Sequence, residues 1–345
     1  MLEKWKTVID QYPGDFVAFD HRGEGCSKTL PSNLEPAAYE VYRIRSLVRD
    51  VEFLRTNVFH YARWRVVGHS RGAALVHYYL EMAPDGIESA HAMGFSIMPD
   101  GAQGNYPMVR ALGYYQTSQA YQDKYPDDAA LLEKVRQTIR DENMCWTGVD
   151  AAQVCGPAVT DILGYNFVKN LTSWPTLHQK IAEMTDAAAI RATLAPYVAS
   201  DTYGHFNYLV ATNGRDFGSP DRAQMKLLHD TRNPIYADPL IAELRYVYEA
   251  IVPTVRIDFS PSVDPLDYDL VIKHLDEHPD LKYFLYGGTV DPIAPLSMYQ
   301  GEVRKLGPRV RFEVLPSGHD GWFHPKLLEN VMRKTYGENP RSRAE

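Results

Sequence analysis

Ser70, Asp291 and His319 have the side-chain types, and the order along the chain, to transfer an acyl group. Ser70 sits in Gly68-His69-Ser70-Arg71-Gly72, between the pair Val66-Val67 and an alanine-rich stretch that begins at Ala73. This is a G-x-S-x-G pattern, which turns a strand sharply into a helix and lifts the serine hydroxyl to the top of a sheet. A side chain at either flanking glycine is expected to collide with the packed strand and helix. A serine hydroxyl is a weak nucleophile until a histidine takes its proton. That histidine needs a carboxylate to fix its tautomer and stabilise its cation. In the architecture marked by this pattern, serine comes first, then the acid, then the histidine.

Asp291 lies in Tyr286-Gly287-Gly288-Thr289-Val290-Asp291-Pro292, and His319 in Leu315-Pro316-Ser317-Gly318-His319-Asp320-Gly321. Each falls just past a predicted strand, on the sheet edge where chemistry in open parallel sheets gathers. Taken singly, each has a plainer reading: an idle serine on a glycine turn, an N-cap aspartate, a surface-loop histidine. Three residues in the right order on the right kind of turn make joint coincidence a poor account. The backbone N–H of Arg71 is the evident oxyanion donor. His69 is expected to point away from the nucleophile, as a structural or pocket-lining residue. Residues 20–25 have a glycine spacing like that of a phosphate loop but no Walker lysine, so they read as a tight structural turn. His205 and His229 have no partners at metal-ligand spacing, and no metal or cofactor is expected.

The elements that must position these residues follow from periodicity. Strands are predicted over 15–20 (buried), 64–69, 89–96, 282–286 and 310–315. Between them, helices are predicted over about 36–57 and 71–82, and from about 295 and 325. Strands alternating with helices predict an α/β fold, with a parallel sheet covered by helices on both faces. The middle of the chain differs. Helical patterns dominate it, at 127–140, 157–170, 177–184, 186–197 and 238–251. Such an insertion reads as a cap over a pocket. The predicted organisation is a core of 1–97 and 257–345 with a helical cap of 98–256.

The bulk numbers exclude several classes. The net charge of −8 comes without any lysine- or arginine-rich run, which argues against nucleic acid or an anionic membrane surface as partner. No apolar stretch approaches the ~20 residues that span a bilayer. The first residues carry no apolar core of a secretory signal, so a cytoplasmic location is expected. The three cysteines, Cys26, Cys145 and Cys155, form neither a disulfide framework nor a metal pattern. They are expected as free thiols in a reducing compartment, with a Cys145–Cys155 pairing the alternative in a secreted protein.

Taken together, DHRGEGCSK, GHSRG, LYGGTVDPIAP and SGHDGW resemble the α/β-hydrolase superfamily. Within it, HYYLEMAPDGIESAHAMGF and YYQTSQAYQDKYPDDAALLEKVRQTI are similar to the proline iminopeptidase (prolyl aminopeptidase) group of serine peptidases. The resemblance implies an α/β-hydrolase fold with a helical cap, Ser70 as nucleophile, Asp291 as orienting acid and His319 as general base. It implies a small-molecule or short-peptide substrate, in the first instance an aminopeptidase reaction releasing an N-terminal residue. A small ester or lactone, or a biosynthetic reaction on the same scaffold, is the alternative. A catalytically impaired binding relative is the alternative of another class. Two departures qualify the match. The group's H-G-G-P-G oxyanion loop is absent from residues 1–14, so an N-terminally shortened sheet is expected. Loss of one oxyanion donor costs about 100- to 1,000-fold in rate. The group's cap glutamates are also unplaced: residues 206–214 carry no carboxylate, and Glu243 and Glu249 are the nearby candidates for binding the substrate's amino group.

Overall fold

The computed structural model describes residues 6, 9–10, 12, 15–22, 25–27, 41–96, 106–147, 153–198, 266–319 and 325–336. The chain divides into two units. The first comprises Met1–Pro99, Pro265–Thr289 and Leu296–Glu345; the second comprises Asp100–Asp264 and Val290–Pro295.

The first unit is built on a four-stranded sheet in the order β1-β2-β5-β6, with β1 Trp64–His69, β2 Ile87–Met93, β5 Lys282–Gly288 and β6 Val310–Leu315. Every neighbouring pair is parallel. Position in the sheet explains composition. The inner strand β5 is buried at every residue from Tyr283 to Gly288, whereas the outer strands β1 and β6 mix buried positions with partly or fully open ones. Strands covered on both faces are apolar throughout, and strands at the edge need not be. The insertion leaves the chain after β2 and returns before β5, so two sheet neighbours are separated by about half the sequence.

Helix α1 (Ile44–Phe53) buries Ile44, Leu47, Val48 and Val51, a spacing that forms one helical stripe. It ends in a π-turn, Leu54–Val58. Helix α2 (Arg71–Met82) is covered nearly all round, because it packs on β1 and β2 and is itself covered by α1 and by α7 (Tyr268–Glu277). Asp267 caps α7, its carboxylate accepting from the amides of Asp269 and Leu270 at 3.0 Å each. Helix α8 (Leu296–Leu306) connects β5 to β6, and α9 (Pro325–Tyr336) follows.

The second unit contains α3 (Tyr106–Lys124), α4 (Asp128–Asp141), α5 (Trp174–Glu183) and α6 (Ala187–Val198). Its own core includes Leu132, Ile139, Trp146, Trp174, Leu177 and Leu194. Buried Asp128, at the start of α4, accepts hydrogen bonds from Tyr121 of α3 and from His178 Nδ1 of α5, tying three helices to one carboxylate.

Three expectations need correction. Residues 15–20 form no strand and have no ladder partner among the described residues, and Val17 and Phe19 are 36% and 40% exposed. The run has β-forming composition, but a strand is a pairing, and the described partner of β1 is β2 alone. The helix expected over 157–170 is instead a 3₁₀ turn, a single α-turn and a π-turn in succession over residues 157–168. Cys145 and Cys155 are joined in a disulfide rather than free, while Cys26 is free and exposed. The two cysteines stand opposite each other in a short antiparallel hairpin, β3 (Cys145–Thr147) with β4 (Gln153–Cys155), that helical periodicity does not reveal. The predicted helix at 238–251 lies outside the described residues. Among the described residues, no helix is long and apolar enough to cross a membrane.

Candidate active site

Ser70 joins β1 to α2 with φ 54° and ψ −121°. Such a backbone costs a non-glycine residue about 1–3 kcal/mol, and the surroundings hold it there. Its N–H extends the β1–β2 pairing to the carbonyl of Met93 at 2.8 Å. Its own carbonyl accepts from Ala73 and Ala74 at 2.9 and 3.2 Å, the opening bonds of α2. Arg71 is the first residue of that helix, so its amide belongs to the turn whose N–H groups the helical ladder does not use.

The two flanking glycines are not equivalent. A Cβ on Gly68 would lie 2.1 Å from the carbonyl oxygen of Gly72, because the first turn of α2 crosses directly over the end of β1. A Cβ on Gly72 would meet nothing within 4 Å. The expectation of a collision at both positions therefore holds for one of them. Gly68→Ala is expected to destabilise by about 1–3 kcal/mol or more, since backbone is forced against backbone. Gly72→Ala, inside a helix, is expected to hold stability or raise it by about 0.5–1 kcal/mol. Thermal melts of the two variants check this; equal losses would refute it.

His319 follows β6, buried to 4% exposure, and its Nε2 lies 3.0 Å from Ser70 Oγ. Two side chains 249 residues apart are thus within hydrogen-bond reach of each other, with the imidazole placed to accept the hydroxyl proton. His69 does not turn away from this pair. Its Nε2–H donates to the backbone carbonyl of His319 at 2.7 Å, and the two imidazole rings are 4.8 Å apart. Gly94, just past β2 with φ +70°, completes the arrangement. A Cβ there would come within 3.0 Å of the His69 ring and 3.3 Å of His319 Cε1. No sequence motif marks Gly94; its positive φ and its closeness to both imidazoles emerge only on folding.

Asp291 lies three residues past β5, in the short segment that groups with the second unit. It is 3% exposed, and its Oδ1 accepts from the amides of Ile293 and Ala294 at 2.9 Å each. Helix α3 packs against this turn through Gly113, where a Cβ would stand 2.8 Å from the Pro292 carbonyl. Tyr114 and Ile293 are buried together beside it. Glu243 and Glu249 lie outside the described residues. Among the described residues, no group of three or more His, Cys, Asp or Glu side chains could hold a metal ion.

A parallel sheet with flanking helices, and a serine at a strained strand-to-helix elbow, define this as an α/β-hydrolase fold. Residues 14–140 match the family model described as the alpha/beta hydrolase fold, a span that includes the elbow but neither Asp291 nor His319. No curated protein sequence matches the chain. Similar solved structures include an esterase from Thermogutta terrifontis, 13% identical, covering 91% of this chain and 76% of its own, with a TM-score of 0.39. Another is MGS-M2, an α/β hydrolase from a Medee basin deep-sea metagenome library, 11% identical, with coverages of 97% and 85% and a TM-score of 0.43. An epoxide hydrolase from Bacillus megaterium is 15% identical, with coverages of 97% and 89% and a TM-score of 0.40. At such identities and scores the likeness assigns no chemistry.

Proposed function

We propose that this protein is a serine hydrolase working through an acyl-enzyme on Ser70. The observation that carries the reading is the 3.0 Å approach of His319 Nε2 to Ser70 Oγ at a backbone elbow. His319 takes the hydroxyl proton as Ser70 attacks a carbonyl, then returns it to the leaving group; water repeats the sequence to release the acid. The Arg71 amide, at the N-terminal end of α2, stabilises the developing oxyanion. Asp291 serves as the orienting carboxylate, supported by its position after β5, the strand beside the one that leads to His319. The substrate is a short peptide with a free amino end, on the resemblance to proline iminopeptidases. The insertion acts as the cap, and Glu243 or Glu249 is the candidate for holding the ammonium group.

A fluorophosphonate probe tests the chemistry: labelling is expected on the peptide that contains Ser70, and labelling elsewhere or nowhere refutes the reading. A substrate panel then tests the class. Prolyl-arylamide should be cleaved at least about tenfold faster than its N-acetyl counterpart, because a lost charged hydrogen bond costs roughly 1.5–3 kcal/mol. Indifference to the amine, with turnover of p-nitrophenyl esters, would reassign the enzyme to ester or lactone hydrolysis.

A further inference from the structure

We propose that His69 is a positioning residue: its Nε2–H holds the backbone carbonyl of His319 and thereby fixes the imidazole that receives the Ser70 proton. The inference rests on the serine-hydrolase reading, and it gives His69 a role other than contact with substrate.

The backbone makes the arrangement possible. Side chains of consecutive residues in a strand point to opposite faces, which is why the sequence predicts His69 turned away from Ser70. The strand ends at His69, and Ser70 takes φ 54°. That reversal breaks the alternation, so two adjacent residues reach the same partner. Ser70 meets the ring of His319 at 3.0 Å, and His69 meets its carbonyl at 2.7 Å. His319 is therefore held at both ends by one dipeptide at the tip of β1.

Chemistry fixes the proton. A carbonyl oxygen can only accept, so His69 carries its proton on Nε2. Space explains the glycine. A methyl group at residue 94 would lie 3.0 Å from His69 Cδ2 and Nε2, so the ring keeps this place only because Gly94 has no side chain. With that donor engaged on His319, His69 supports the general base from behind. An imidazole displaced by about 1 Å can cost on the order of 100-fold in rate while leaving binding unchanged.

The test compares His69→Leu, which fills the space without a donor, with His69→Gln, whose amide N–H reaches about as far as Nε2. With the full chain and a fluorophosphonate probe, the maximal labelling rate of His69→Leu is expected to fall about 10- to 100-fold. Its half-saturating probe concentration should stay within about twofold, and His69→Gln should recover most of the rate. A leucine variant that labels at the wild-type rate overturns the proposal. So does a loss seen only in half-saturation, or a glutamine variant as slow as leucine. If the variants do not fold, long-range ¹H–¹⁵N spectra of the wild type decide: neutral His69 must be protonated at Nε2, and the opposite tautomer refutes the contact. Wild-type protein that fails to label at Ser70 would sink the hydrolase reading, while those spectra still judge the His69–His319 bond.

Discussion

Ser70→Ala is expected to lower kcat by about 10⁴- to 10⁶-fold, the range seen when the nucleophile of a serine–histidine pair is removed. KM for any substrate that wild type turns over should change little, because binding contacts remain. The same position makes an opposite prediction for stability. Ser70 holds a φ of 54° that a side chain disfavours, so Ser70→Gly should lose activity just as completely yet gain roughly 1 kcal/mol of stability. Alanine keeps the Cβ and should not gain. An active-site residue whose removal stabilises the fold carries strain for function. Comparing kcat with denaturant midpoint for the two variants tests both halves. Residual activity within tenfold of wild type would place the nucleophile elsewhere.

Glu302→Ala is expected to be the most damaging change away from the site, by about 3–5 kcal/mol, as when one partner of a buried ion pair is lost. The Glu302 carboxylate on α8 is fully buried. It accepts from His77 Nε2 on α2 at 2.6 Å, from Ser96 Oγ just beyond β2 at 2.5 Å, and from the Tyr283 hydroxyl on β5 at 3.2 Å. The other nitrogen of His77, Nδ1, donates to the Ala73 carbonyl at 2.6 Å. Carboxylate and carbonyl are both acceptors, so the geometry suits a doubly protonated ring. Burial opposes that charge, but the Glu302 carboxylate and the hydrogen bonds outweigh it, and the His77 pKa is raised. The sign follows from linkage. A folded-state pKa above the unfolded value of about 6.5 gives stability that is full below that pH. It is lost as pH rises through the folded value. Wild type should therefore weaken from about pH 6.5 upward, and Glu302→Gln, which keeps shape but removes charge, should lose that dependence. Urea midpoints across pH 5.5 to 9 measure it; identical pH profiles for the two proteins would discard the ion pair.

The location of these groups shows how far sequence reading reaches. The strand at 64–69, the helix at 71–82 and the strand at 310–315 are legible to the residue, because apolar spacing reports which faces lose water. Ser70 was legible too, since its glycine-flanked turn is written in five neighbours. His77 and Glu302 were not. They lie 225 residues apart, and each alone looks like an ordinary polar residue in a helix. The hairpin with its disulfide escaped because three-residue strands are too short to show a period.

The sequence by itself determined the parallel α/β layering, the elbow at Ser70 and the ordered appearance of Asp291 and His319 after strands, all set by local pattern and chain order. Only the tertiary structure decided that a side chain would clash at Gly68 and not at Gly72, and that residues 15–20 form no sheet strand among the described residues. It alone turned His69 toward His319. The physical reason is common to all three. Periodicity records whether a position is dry, whereas a clash, a strand pairing or a hydrogen bond between distant residues depends on which other segment arrives there.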